Sequence, residues 1–152
     1  MFWAKTNMSI LTTTNVLHLS FGTTKANMYR RYNPNPLHNR VGDCAVRAIA
    51  KALDISWDEA YVQIAIQGFI DKDMPNGNDV WGAFLIRKGF RRRAIPETCS
   101  ECYTVIDFCK DHPQGVYVVG TGSHVLAVVN GQYFDSWDSG DELPIYFYYK
   151  GE

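Results

Sequence analysis

Asn130-Gly131 stands between Val125-Leu126-Ala127-Val128-Val129 and Gln132-Tyr133-Phe134-Asp135, and no other dipeptide constrains the fold as strongly. Both central residues of a tight two-residue hairpin turn take positive φ, which Asn and Gly tolerate, so the pair predicts an antiparallel hairpin of fixed register. Val129 then faces Gln132, Leu126 faces Asp135 and His124 faces Trp137. Alternate residues of a strand share a face, so His124 and Asp135 become diagonal neighbours. Asp138 falls on the other face. A bulge in the turn at 137–141 would reverse that parity and make Asp138 the alternative orienting acid.

The flanking sequence extends this hairpin into a larger pattern. Strands are expected at 116–119, 123–129, 132–137 and 143–149, whereas the preceding half reads largely as helices. One helix begins at Asp43-Cys44. A second opens at Ser56, where Ser56-Trp57-Asp58-Glu59 has capping-box spacing, and turns Ala60, Ile64 and Phe69 inward. A third, at 79–88, closes at Gly89, a strand follows from Phe90 to Ile95, and a short helix at 104–111 stops before Pro113. Helices followed by strands predict an α+β domain at 28–152, with its N-terminal helices packed on a C-terminal antiparallel sheet. Residues 1–27 are read as an N-terminal extension, peripheral or upstream of a functional start at Met28. The alternative is that Val16-Leu17-His18-Leu19-Ser20-Phe21, which alternates, adds a peripheral strand.

Composition narrows the function classes. A length of 152 residues and a 46% hydrophobic content suit one folded domain, and a net charge of −1 supplies no field for nucleic acid. Arg87, Lys88, Arg91, Arg92 and Arg93 form a local basic run, read as a solvated strand edge that resists sheet-to-sheet pairing, with an anionic partner as the minority reading. No apolar run is long enough to span a membrane, and the N-terminal segment lacks the pattern of a signal peptide, so a cytoplasmic protein with reduced thiols is expected.

Cys44 occupies the first turn of its helix, where unpaired N–H groups and the helix dipole favour a thiolate. A helix-start cysteine followed far downstream by a histidine and an acid suggests a thiol hydrolase. Cys44 would attack a carbonyl, His124 would move the proton and Asp135 would orient His124. The backbone N–H of Cys44 can donate one hydrogen bond to the oxyanion, and His38, Asn39 or Asn35 could supply a second. A competing motif is Cys99, Cys102, Cys109 and His112, which could hold zinc. Cys109 also fits the apolar side of its helix beside Val105 and Phe108, and His112 can engage the last carbonyls of that helix. Neither metal nor cofactor is therefore expected.

The order of Cys44 on a helix start, His124 heading a strand and Asp135-Ser136-Trp137 on the next resembles the papain-like cysteine peptidase superfamily. Papain-type enzymes carry Asn-Ser-Trp at the last of these. The resemblance implies that Asp135 orients His124 and that Trp137 shields their bond from water. The form is similar to small bacterial and phage-encoded members, including bacteriocin-processing peptidases, whose third residue is an aspartate. Cys44-Ala45-Val46-Arg47-Ala48-Ile49 is similar to the cysteine helix of ovarian-tumour-type deubiquitinases, although Val41 stands where those enzymes place an aspartate. Papain-like enzymes usually place a glutamine six residues before the cysteine, where this chain has His38. The implied function is a peptidase or deconjugating protease acting on a peptide or protein. Two alternatives are a Cys-His-Asp acyltransferase and an inactive interaction protein on the same fold, phage-encoded and host-directed.

Overall fold

The computed structural model describes residues 25–96 and 102–151. Its elements, in chain order, are α1 (Lys25–Met28), β1 (Tyr29–Arg31), α2 (Cys44–Leu53), α3 (Trp57–Asp71), α4 (Asn78–Arg87), β2 (Phe90–Ala94), α5 (Val105–Asp111), β3 (Val116–Gly120), β4 (Val125–Val129), β5 (Gln132–Asp135) and β6 (Tyr146–Lys150). The strands form one six-stranded sheet in the order β1-β5-β4-β3-β6-β2. The fold is α+β, but the sheet is neither purely antiparallel nor purely C-terminal. β1 runs parallel to β5, and β2 enters the sheet between α4 and α5.

The central strands are buried on both faces, which is why they read as nearly continuous apolar runs. In β4, Val125 and Ala127 pack with Ile49, Ile64, Trp81 and Leu85 of α2, α3 and α4. Leu126 and Val128 point the other way, joining Met28, Phe108, Tyr133 and Phe147 beneath α5. Fully burying a side chain of this size contributes about 1.5–3 kcal/mol, so two such clusters clamp the sheet. Met28 is 2% exposed and belongs to this core.

Local signals explain the element ends. Asn130 (φ 49°) and Gly131 (φ 73°) both adopt the left-handed conformation, as a tight two-residue hairpin turn needs, and Val129 pairs with Gln132. α3 keeps half of the expected capping box: Ser56 Oγ accepts from the N–H of Glu59, while the Glu59 carboxylate accepts from Gln63 instead. The full box is at α5, where Thr104 and Asp107 bond reciprocally. Ala60 and Ile64 face inward as expected, but Phe69 is 74% exposed, because the inward stripe of α3 continues through Gln67 and Gly68 and leaves position 69 off that face. β2 is a sheet edge, and Arg91, Arg92 and Arg93 are exposed along it, which fits the solvated-edge reading of the basic run.

Candidate active site

The loop ahead of α2 is built around Asp43. Asp43 is 6% exposed and its backbone carbonyl accepts from Arg47, as an N-cap residue's should, but its carboxylate makes no capping bond. It accepts instead from the Arg47 guanidinium, from Trp57 Nε1 at 2.9 Å and from Asn35 Nδ2 at 3.5 Å. Those bonds tie the loop, α2 and α3 together one residue before Cys44. Cys44 is the first residue of α2 and is half-buried.

His124 lies in the short β3–β4 turn, where the Thr121 N–H donates to its carbonyl at 2.9 Å. The paired register of β4 and β5 ends at Ala127 and Phe134, so His124 and Asp135 meet just beyond the last pair of that ladder. Their position outside the ladder matters, because strict alternation would turn both toward the α5 side, whereas α2 packs against the other face. His124 Nε2 is 2.5 Å from Asp135 Oδ2. Asp135 is 2% exposed and its carboxylate is fully engaged. Ser139 Oγ donates to Oδ2 at 2.6 Å, the Ser136 N–H donates to Oδ1 at 2.7 Å, and an Arg47 guanidinium nitrogen lies 3.7 Å from Oδ1.

The charges reinforce one another. Burial opposes ionisation of the Cys44 thiol, but a hydrogen bond and charge from His124, the Val125 N–H and nearby Arg47 together lower its pKa. For His124, burial again opposes charging, and the bonds and charges of Asp135 and Cys44 overcome it, raising its pKa to about 9. Each of the two groups thus favours the charged form of the other, with the Asp135 carboxylate behind His124. Trp137 sets its ring 5.4 Å from the His124 ring and is itself 46% exposed, covering one side of the imidazole.

Asp138 is turned elsewhere. Its Oδ1 accepts from the buried Tyr133 hydroxyl at 2.5 Å and from the Gly140 N–H at 3.2 Å. The three oxyanion candidates are likewise not brought to Cys44. The cleft around Cys44 and His124, about 260 Å³, is lined by Gly42, Ala45, Asn76, Asn78, Trp81, Tyr146 and the 121–125 segment. Asn35 is buried, with Oδ1 accepting from the Leu37 N–H at 3.0 Å. His38 and Asn39 line a separate polar cleft. The amide residues lining the Cys44 cleft are Asn76, on the α3–α4 connection, and Asn78, the first residue of α4, whose Oδ1 accepts from Trp81 Nε1 at 3.2 Å. Sequence spacing gave no signal for them, nor for Ser139. Arg47, four residues after Asp43, carried a recognisable i,i+4 ion-pair signal.

Of the suggested zinc ligands, Cys99 lies outside the described residues. Cys102 is exposed, whereas Cys109 is 1% exposed and burial pushes its thiol up to about 12. His112 stacks on Phe108 with ring centroids 4.0 Å apart, and its Nδ1 is 2.9 Å from the Phe108 carbonyl oxygen. Among the described residues, no three His, Cys, Asp or Glu side chains gather as a metal site would need, and no helix is long and apolar enough to cross a membrane.

Comparison with protein-family models, with curated proteins and with solved structures finds no match to this chain.

Proposed function

We propose that this protein is a papain-like cysteine hydrolase that cleaves peptide or isopeptide bonds. The observation that carries this reading is His124 held between Cys44 and Asp135, with Nε2 bonded to the carboxylate and Nδ1 left for the thiol. In the reaction, the Cys44 thiolate adds to the carbonyl carbon. Negative charge then develops on the carbonyl oxygen, beside the Cys44 N–H at the start of α2 and the side-chain amides of Asn76 and Asn78. The His124 imidazolium gives its proton to the departing amine. A water molecule, deprotonated by His124, then releases the acyl group and restores the thiol. Asp135 orients the ring throughout and favours its charged form.

The surroundings of Cys44 favour a polypeptide over a small molecule. The Cys44 cleft shares Gly42, Ala45 and Asn76 with an apolar cleft of about 690 Å³, and Asn78 and Tyr146 with another of about 510 Å³ on its other side. Such a run of clefts accommodates an extended chain on both sides of the attacked carbonyl. A free, reactive thiolate also fits a reducing compartment, which is the basis for placing the protein in the cytoplasm. The test is turnover of a denatured-protein or peptide-library substrate by the wild type, by Cys44→Ala and by His124→Ala. Cleavage by the wild type, with loss in both variants and their fold retained, supports the assignment. If the folded wild type cleaves nothing and Cys44 resists thiol reagents, the assignment fails.

A further inference from the structure

Beyond the Cys44 cleft, the 33–41 loop, β1 and α2 enclose a polar hollow of about 910 Å³ that the hydrolytic chemistry does not use. Arg31, His38, Arg40 and Arg47 all line it, and no carboxylate side chain does. Arg47 is already engaged by Asp43 and lies near Asp135. Arg31 and Arg40 are exposed, and neither makes an ion pair with a carboxylate among the described residues. The framework that presents them is fixed. Arg31 is in register with Asp135 in the parallel β1–β5 pair. The 33–41 loop carries Pro34 and Pro36, and it is folded by the Leu37 N–H donating to Asn35 Oδ1 and the His38 N–H to the Asn35 carbonyl, both at 3.0 Å. His38 takes a left-handed φ of 52° there, a conformation that costs energy outside glycine and that the turn imposes.

The hollow is close to the chemistry. Arg47 lies three residues beyond Cys44 on α2, about 4.5 Å along the helix axis, and Ser136 on the opposite wall follows Asp135 directly. It also shares Asn39 and Val41 with the apolar cleft that adjoins Cys44, so an extended chain in that cleft reaches the arginines.

We propose that this arginine-lined hollow binds a carboxylate of the substrate, so that the enzyme selects peptides bearing an acidic group near the scissile bond. The inference rests on the hydrolase reading for the word substrate, but not for the binding itself. Guanidinium groups pair with carboxylates through two parallel hydrogen bonds, and the exposed Arg31 and Arg40, which make no ion pair among the described residues, are complementary to such a group. The carboxylate comes from an acidic side chain or from a chain end, and both sources share this chemistry.

The experiment titrates the full-length protein with blocked alanine peptides containing one central glutamate, with their glutamine twins, and with glutamine twins left free at the C-terminus. Two quantities are read: NMR shifts of the arginine Nε–H groups, and protection of Cys44 from iodoacetamide. The glutamate peptide is expected to shift Arg31 and Arg40 and to slow alkylation at concentrations where the blocked glutamine twin does neither. Binding by the unblocked twin as well assigns the source to a chain end. The double variant Arg31→Gln/Arg40→Gln should weaken acidic-peptide binding by about tenfold or more while leaving the peptide-free alkylation rate unchanged. Equal binding of glutamate and blocked glutamine peptides, or undiminished binding by the double variant, overturns the proposal, as does inorganic phosphate binding more tightly than any peptide. An unreactive Cys44 in a protein whose arginines still respond would defeat the hydrolase reading alone.

Discussion

Replacing Asp135 by asparagine is the sharpest single perturbation of the site, because it preserves size while deleting one charge and one acceptor oxygen. The His124 pKa rises from 6.5 to about 9 in the folded protein, a differential stabilisation of the imidazolium of about 3 kcal/mol that Asp135 shares with Cys44. His124 side-chain exposure is only 14%, so solvent screens little of this. The signs are opposite for the two partners. The raised His124 pKa stabilises the fold fully below 6.5 and loses that contribution as pH rises through about 9. The lowered Cys44 pKa stabilises the fold above the ordinary thiol range, and that contribution is lost as pH falls through the folded value. The ion pair therefore fills the window between the lowered Cys44 pKa and about 9. In Asp135→Asn, burial still opposes the imidazolium but the carboxylate no longer supports it, so the His124 pKa should fall back toward the ordinary imidazole value. The Cys44 thiolate then loses its partner over the neutral range. The assay is the second-order rate of iodoacetamide alkylation at Cys44, followed by peptide mass spectrometry from acid to alkaline pH, with His124 titrated by NMR in parallel. The wild type should show a broad plateau of reactivity through neutral pH, and the variant should approach the single rise of an ordinary thiol near 8.5. Superimposable profiles in two folded proteins would refute the argument.

Three further outcomes follow from the geometry. Asp135→Ala should abolish turnover, whereas Asp138→Ala should retain it while losing about 1–3 kcal/mol of stability in denaturant unfolding, because the buried Tyr133 hydroxyl loses its acceptor; the reverse ranking would make Asp138 the orienting acid. Cys109 should stay unmodified under native conditions that alkylate Cys44 completely, and should react only on unfolding, as read by mass spectrometry. Gly120→Ala should lower the thermal midpoint through about 1–3 kcal/mol of strain, since its new methyl group would collide with the Tyr146 ring; an unchanged midpoint would mean that the ring moves freely.

The hairpin was the most legible part of the chain because Asn130-Gly131 satisfies a local backbone requirement that few residue pairs meet. The start of α2 at Cys44 and the close of α4 before Gly89 were similarly local. β1 was not, because Tyr29-Arg30-Arg31 has no alternation and becomes a strand only by pairing with β5. The capping-box spacing at Ser56 gave the helix start correctly, but whether Glu59 bonds back depends on Gln63 competing for it. At the site, His124 and Asp135 were placed as neighbours by parity, yet the structure joins them where the β4–β5 ladder has stopped. The cleft amides could not be foreseen, because Asn76 and Asn78 come to line the Cys44 cleft through the way α3 and α4 pack, which no spacing within one segment encodes.

The parallel pairing of β1 with β5 bears on when reactivity arises. The Tyr29 hydroxyl and the Asp135 carbonyl that it contacts are 106 residues apart in the chain. Closing so long a loop is entropically unfavourable until many other contacts have formed, so β1 should dock late. The acid beside which it docks, and the histidine that acid holds, also emerge from synthesis long after Cys44. A chain that has not yet reached residues 124–125 therefore carries Cys44 without the His124 and Val125 groups that lower its pKa. Under the proposed hydrolase reading, reactivity at Cys44 thus waits on the pairing of segments far apart in the chain.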